Sequence, residues 1–91
     1  MAARGVERRI ESVVDIESLI VELLHEIAGV DPSLISREST IDGDLEINSV
    51  TFVELQVALE DELDIVIDPV DIVELGTIGR ISEYLLARCQ E

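Results

Sequence analysis

Apolar residues recur at helical spacing along most of this chain, and acids fill the positions between them. Ile16, Leu19, Ile20, Leu23, Leu24 and Ile27 share one face of a first helix, and Gly29 is a natural stop for it. How far that helix reaches back toward Val6 is left open by the pattern. Asp31-Pro32-Ser33 reads as a cap followed by a first-turn proline, so a short helical turn follows. Residues 36 to 47 read as a long loop, because Ser39, Thr40 and Asp42-Gly43-Asp44 are turn formers. Ile41, Leu45 and Ile47 are expected to pin that loop to the core. From Asn48 or Ser49 a second helix runs to about Leu63, with Phe52, Leu55, Leu59 and Leu63 as its apolar stripe and Glu54, Asp61 and Glu62 largely off it. Ile65, Val66 and Ile67 look strand-like, but a lone strand has no partner here. They are therefore expected to form an extended connection buried against the helices. Asp68-Pro69 with Asp71 starts a short third helix that ends near Gly76. Thr77 then caps a last helix carrying Ile78, Ile81, Leu85 and Leu86 inward. The pattern predicts an all-α fold: a small bundle of three longer helices and one short one, with a long loop between the first and second.

The 91 residues suffice for one domain over 1–91, with the core in 15–87 and residues 1–11 as an arm or helix extension. With one Tyr and one Phe in the chain, Val, Ile and Leu must build that core. Charge sharpens the picture. The formal net charge is -15, from 21 acids against 6 basic residues that are all arginine. Nucleic-acid binding is excluded on that balance, because phosphate contacts need Lys and Arg to displace counterions. An anionic membrane surface is disfavoured for the same reason. Basic docking faces on partner proteins are favoured, and mutual repulsion favours a monomer. Cys89 is the single cysteine, so no internal disulfide forms and a cytoplasmic setting fits. Arg4, Arg8 and Arg9 precede no continuous apolar stretch, since Glu11, Asp15, Glu17 and Glu22 interrupt it. Neither a signal peptide nor a membrane span is expected.

Ser49 is the residue of greatest chemical interest. It follows Asn48 and opens a helix whose exposed side is acidic. No histidine or lysine lies nearby in sequence to activate it, so it reads as a residue that another enzyme modifies. A serine at a helix start is commonly only a cap. The wider pattern goes further. Asn48-Ser49-Val50 resembles the Asp-Ser-Leu signature of the acyl carrier proteins. The run from Val53-Glu54-Leu55 to the acidic Glu60-Asp61-Glu62 resembles the helix that follows it in that family. Val66-Ile67-Asp68-Pro69 and Leu75-Gly76-Thr77-Ile78 are similar to the entries to its third and last helices. The resemblance covers roughly residues 15 to 87. It implies that Ser49, preceded by Asn48, receives 4′-phosphopantetheine from coenzyme A through a phosphopantetheinyl transferase. It also implies a carrier, not an enzyme, with acyl groups held as thioesters. Two positions depart from the common pattern. Asn48 stands where the family most often has aspartate, and Thr51 where fatty-acid carriers often have an acid. Both point toward discrete carriers of polyketide or peptide pathways.

No basic residue falls between Arg37 and Arg80, an interval that holds 12 acids. A solvated face is the ordinary meaning of such a run. The resemblance makes it a docking face, with Val50, Glu54, Val57, Glu60 and Asp61 at its centre and Asp44 at the loop edge. Ketosynthases or other acyl-processing enzymes, and an acyl-loading or adenylating enzyme, are the implied partners. Val53 is left between this face and the core. Asp42 to Val53 fails as a calcium loop, because the sixth position is Ile47 and the twelfth is Val53. His25 stands without a second ligand nearby and is expected at or near the surface. Cys89 reads as a frayed-end thiol, and Tyr84 as packing with its hydroxyl at the surface. The expected function is a discrete acyl carrier of polyketide- or fatty-acid-type synthesis. The alternatives are an aminoacyl or peptidyl carrier, or an acidic helical adaptor that never receives the group.

Overall fold

The computed structural model describes residues 10–41, 43–45 and 47–90. Residues 1–9 of the expected arm over 1–11, and Asp42 and Glu46 in the loop, lie outside those residues. Four α-helices follow one another: α1 Val13–Ala28, α2 Ser49–Leu63, α3 Pro69–Leu75 and α4 Ile78–Cys89. A 3₁₀ turn, Pro32–Leu34, follows α1. Among the described residues there is no strand, only one antiparallel bridge between Thr40 and Thr77. The expected bundle of three longer helices and one short one is therefore present.

Each helix starts and stops for a local reason. The Asp15 carboxylate accepts the Glu11 and Ser12 N–H groups at 2.8 and 3.1 Å, closing the first turn of α1. Residues 10–12 precede that helix. At its far end Gly29 adopts φ 69°, the left-handed conformation that glycine enters without steric cost. Its N–H and that of Val30 then close on the His25 and Leu24 carbonyls. Asn48, Asp68 and Thr77 cap α2, α3 and α4 by accepting the N–H of Thr51, Val70 and Arg80. Asp31 caps the 3₁₀ turn through the Ser33 N–H at 2.9 Å. That bond and the Ser33 hydroxyl hold the Asp31 carboxyl below the usual aspartate range.

The core is aliphatic. Ile16, Leu19, Ile20 and Leu24 of α1 are buried, as are Leu55 and Leu59 of α2 and Ile78, Ile81 and Leu85 of α4. Each such side chain contributes roughly 1.5–3 kcal/mol over leaving it exposed. Helix α1 packs chiefly on α4 and α2, while α3 is short and contacts α4. Phe52 and Leu63 complete the α2 stripe from half-buried positions.

The loop before α2 is built rather than slack. Ile41 is buried, with Leu45 and Ile47 packed against the same core. The Ser39 and Arg37 carbonyls accept the Ile78 and Gly79 N–H groups at 3.0 and 2.8 Å, so the loop caps the start of α4. The Arg37 guanidinium lies against Gly79, where an added Cβ would sit 2.9 Å from its Nε. From there Arg37 pairs with Glu17 at 3.2 Å and Glu83 at 3.1 Å, tying the loop to α1 and α4.

The 64–67 connection departs in part from expectation. Ile67 is buried, Ile65 is half-buried, and Val66 is 73% exposed. The segment needs no partner strand, because helix side chains take its backbone groups. The Ile67 N–H donates to the Glu60 carboxylate at 2.8 Å, and the Gln56 amide donates to the Ile67 carbonyl at 3.2 Å. Arg88 donates to the Val66 carbonyl at 2.9 Å.

Three side-chain expectations are also refined. The Tyr84 hydroxyl donates to Asp71 at 3.0 Å and joins α4 to α3. Burial, followed by that Asp71 partner, raises its pKa above the ordinary tyrosine value. Cys89 is the last helical residue of α4, half-buried against the core, and burial pushes its thiol pKa up. His25 is exposed, with Nδ1 3.2 Å from the Val30 carbonyl.

Candidate functional site

Ser49 is the first residue of α2 and is exposed. Asn48, in extended backbone conformation, places its Oδ1 2.8 Å from the Thr51 N–H, and its carbonyl accepts the Phe52 N–H at 2.9 Å. The cap therefore leaves the Ser49 hydroxyl and the Ser49 and Val50 N–H groups without partners among the described residues. The first turn of α2 carries no acid. Its positive dipole end is thus not neutralised by its own side chains, and an anion there would gain from both the dipole and the open N–H groups. Asn48 suits this arrangement, because it caps as aspartate would without adding negative charge.

A groove of about 220 Å³ adjoins the serine. Ile41 and Ile47 of the loop, Phe52 of α2 and Ile72 and Val73 of α3 line it together with Ser49. The long loop makes this site possible, since it supplies one wall and delivers the chain to the start of α2. The hydroxyl opens beside apolar surface, with no acid or base among those lining residues to activate it.

The docking candidates do not all stand alike. Val50 and Val57 are 70% and 52% exposed on α2, and Val53 between them is 53% exposed, so it does not belong to the core. Glu54 and Asp61 are exposed as well. Glu60 is half-buried and holds the 64–67 connection. The Asp44 carboxylate accepts the Thr40 N–H at 3.1 Å, while its own N–H donates to the Thr40 hydroxyl at 2.9 Å. These two acids thus build local structure as well as contributing charge.

Apart from Ser49, the groove-lining residues, and the exposed Val70 on α3, were not among the sequence candidates for the site. Valines at solvent-facing positions of an otherwise acidic helix were the available signal.

The structure thus places a serine at an open helix start beside an apolar groove, and the chain is similar to the following known proteins. The family model for the phosphopantetheine attachment site matches residues 18–85. The meromycolate extension acyl carrier protein of Mycobacterium leprae is 35% identical over 66 residues, covering 72% of this chain and 57% of that protein. The acyl carrier protein of Rhodococcus erythropolis is 32% identical over 72 residues, covering 76% of this chain and 79% of that one. A non-reducing polyketide synthase of Preussia isomera is 32% identical over 90 residues, 92% of this chain but 4% of the synthase. The chain thus spans little more than half the length of the mycobacterial relative. The chain belongs to the acyl carrier protein family, whose members bear 4′-phosphopantetheine and act as carriers, not catalysts. Among the described residues no helix is long and apolar enough to cross a membrane.

Proposed function

We propose that Ser49 is the residue to which 4′-phosphopantetheine is attached, and that residues 15–87 act as one carrier unit for acyl groups in polyketide- or fatty-acid-type synthesis. The observation that carries this reading is the exposed Ser49 hydroxyl at the N-terminus of α2, without a partner among the described residues. The residues present fit the group. Open Ser49 and Val50 N–H groups suit a phosphodiester, and the adjoining apolar groove suits the chain that leaves it. When bound, the group supplies a terminal thiol that holds an acyl chain as a thioester. The protein's residues attach, orient and shield. Ser49 offers the oxygen for the phosphodiester bond. Asn48 fixes the start of α2 and hence the direction of that oxygen. Ile41, Ile47, Ile72 and Val73 offer the emerging chain a wall away from water.

Delivery rests on the outer face of α2. Val50 and Val57 give an apolar centre, and Glu54, Glu60, Asp61 and Asp44 supply an acidic surround. A phosphopantetheinyl transferase, a loading enzyme and acyl-processing enzymes such as a ketosynthase, each with a basic patch, are the partners this surface suits. Acyl cargo is favoured over aminoacyl cargo because the curated relatives described above are acyl carriers and a polyketide synthase. The Rhodococcus relative, 79% of which is covered by the match, supports a discrete carrier, and the lone cysteine and acidic surface suit the cytoplasm.

Intact-protein mass tests the attachment. The chain is incubated with coenzyme A, magnesium and a broad-specificity phosphopantetheinyl transferase, beside Ser49→Ala. One added phosphopantetheine group is expected in the parent and none in the variant. A folded parent that gains nothing, while a control carrier is modified, overturns the reading in favour of an acidic adaptor.

A further inference from the structure

The groove beside Ser49 does not run on into the core. A second gap lies behind it, among the buried Leu55, Leu59, Ile67 and Ile81, and has room for only about 10 Å³. That is about one water-sized probe, so this part of the core is closed. The two spaces share three lining residues, Ile41, Phe52 and Ile72. Ile41 and Ile72 are buried at 5% and 4% exposure and are fixed by the packing around them. Phe52 is half-buried, and it is the only phenylalanine in the chain. Its flat ring is the largest side chain in this shared wall.

We propose that Phe52 is the partition that limits the cargo this protein shelters to short apolar acyl groups, by closing the groove at Ser49 off from the core between α2, α3 and α4. This rests on the reading of Ser49 as the attachment residue. A groove of about 220 Å³ lies below the usual range for sites that enclose drug-sized ligands, roughly 300–1,000 Å³. A chain that outruns this groove meets the closed core behind Phe52 and leaves its end in water. Removing the ring joins the two spaces. An engineered apolar cavity of roughly 150 Å³ stays dry and takes up benzene or xenon. The walls behind Phe52 are of that kind, since the one polar side chain there, Gln56, has its amide turned to the Ile67 carbonyl.

The test begins on the unmodified full chain, so it does not depend on the serine chemistry. Benzene and xenon are titrated while methyl resonances are followed. In the parent, Ile47 and Val73 in the groove are expected to shift, and Leu59, Ile67 and Ile81 to stay still. In Phe52→Ala the shifts are expected to extend to those three interior residues. Phe52→Leu, which keeps more of the packing, should give the same extension more weakly and decides the matter if the alanine variant does not fold. A second arm loads butanoyl and octanoyl groups from their coenzyme A thioesters. In the parent, octanoyl should leave the interior methyls unchanged, and in Phe52→Leu it should move them. Interior shifts in the parent as large as in the variants overturn the partition. So does an interior that stays silent in a folded variant. Failure to load, seen by mass, counts against Ser49 as attachment residue and leaves the benzene and xenon result to decide on Phe52.

Discussion

Glu60 separates two roles that a sequence cannot tell apart. It is an acid on the helix proposed for docking, and it is also the acceptor for the Ile67 N–H at 2.8 Å. Ile67 is a buried core residue, so its backbone has little recourse to water. Hydrogen bonds to charged groups contribute about 1.5–3 kcal/mol. Glu60 is half-buried, which argues for the lower part of that range. Against it stands a favourable effect of removing the charge. Glu60 sits in the last turn of α2 with Asp61 and Glu62 and no basic residue, at the negative end of the helix dipole. Relieving that costs the fold nothing and gains roughly 0.3–1 kcal/mol. Glu60→Ala is therefore expected to lose about 1 kcal/mol. Glu60→Gln keeps an acceptor and removes the charge, and should stay within about 0.5 kcal/mol of the parent. In a domain of this size the alanine change lowers Tm by roughly 4–8 °C. Thermal unfolding followed by circular dichroism, with urea midpoints as a check, measures both. Equal stability of the two variants would refute the structural role of the Ile67 bond and leave Glu60 a surface charge alone. Glu60→Gln should still slow productive encounter with a basic partner, which a coupled transferase assay at low salt reads separately.

Three further outcomes follow from the same structure. Raising salt from low to moderate, or adding a divalent cation, should raise Tm, because a net charge of -15 repels itself and six arginines cannot offset it; a flat or falling Tm refutes this. Ser82 is fully buried on α4 with no partner for its hydroxyl among the described residues, so Ser82→Ala should stabilise by about 1 kcal/mol in urea unfolding. Tyr84 has a raised pKa, so its contribution is fully present below the ordinary tyrosine value near 10 and is lost as pH climbs through the higher folded value. Tyr84→Phe should remove that part of the alkaline loss, and the single tyrosine makes absorbance titration a direct check of the folded pKa.

Much of this architecture was legible in one dimension because it depends on local physics. The 3.6-residue period fixed which faces of α1 and α4 turn inward, and Ile16, Leu24, Ile81 and Leu85 are buried as that period requires. Caps are equally local: Asn48, Asp68 and Thr77 accept N–H groups two or three residues further on, so residue type and spacing suffice to place them. Ser49 at the start of α2 follows from the same cap.

Contacts between distant segments were another matter. Val66 looked as apolar as its neighbours, yet it faces solvent, because Gln56, Glu60 and Arg88 from two helices hold that connection by its backbone. No periodicity encodes such bonds. Likewise nothing local says that Arg37 will lie over Gly79, or that the Arg37 and Ser39 carbonyls will cap a helix some 40 residues away. The groove is the clearest case. Its walls come from the loop, α2 and α3, and its closure behind Phe52 depends on how three elements meet. The sequence by itself determined where the helices lie and which serine stands at an open helix start, since those depend on neighbours along the chain. Only the tertiary structure decided what lies beside that serine and how deep it goes, since a cavity is the space left between side chains distant in sequence.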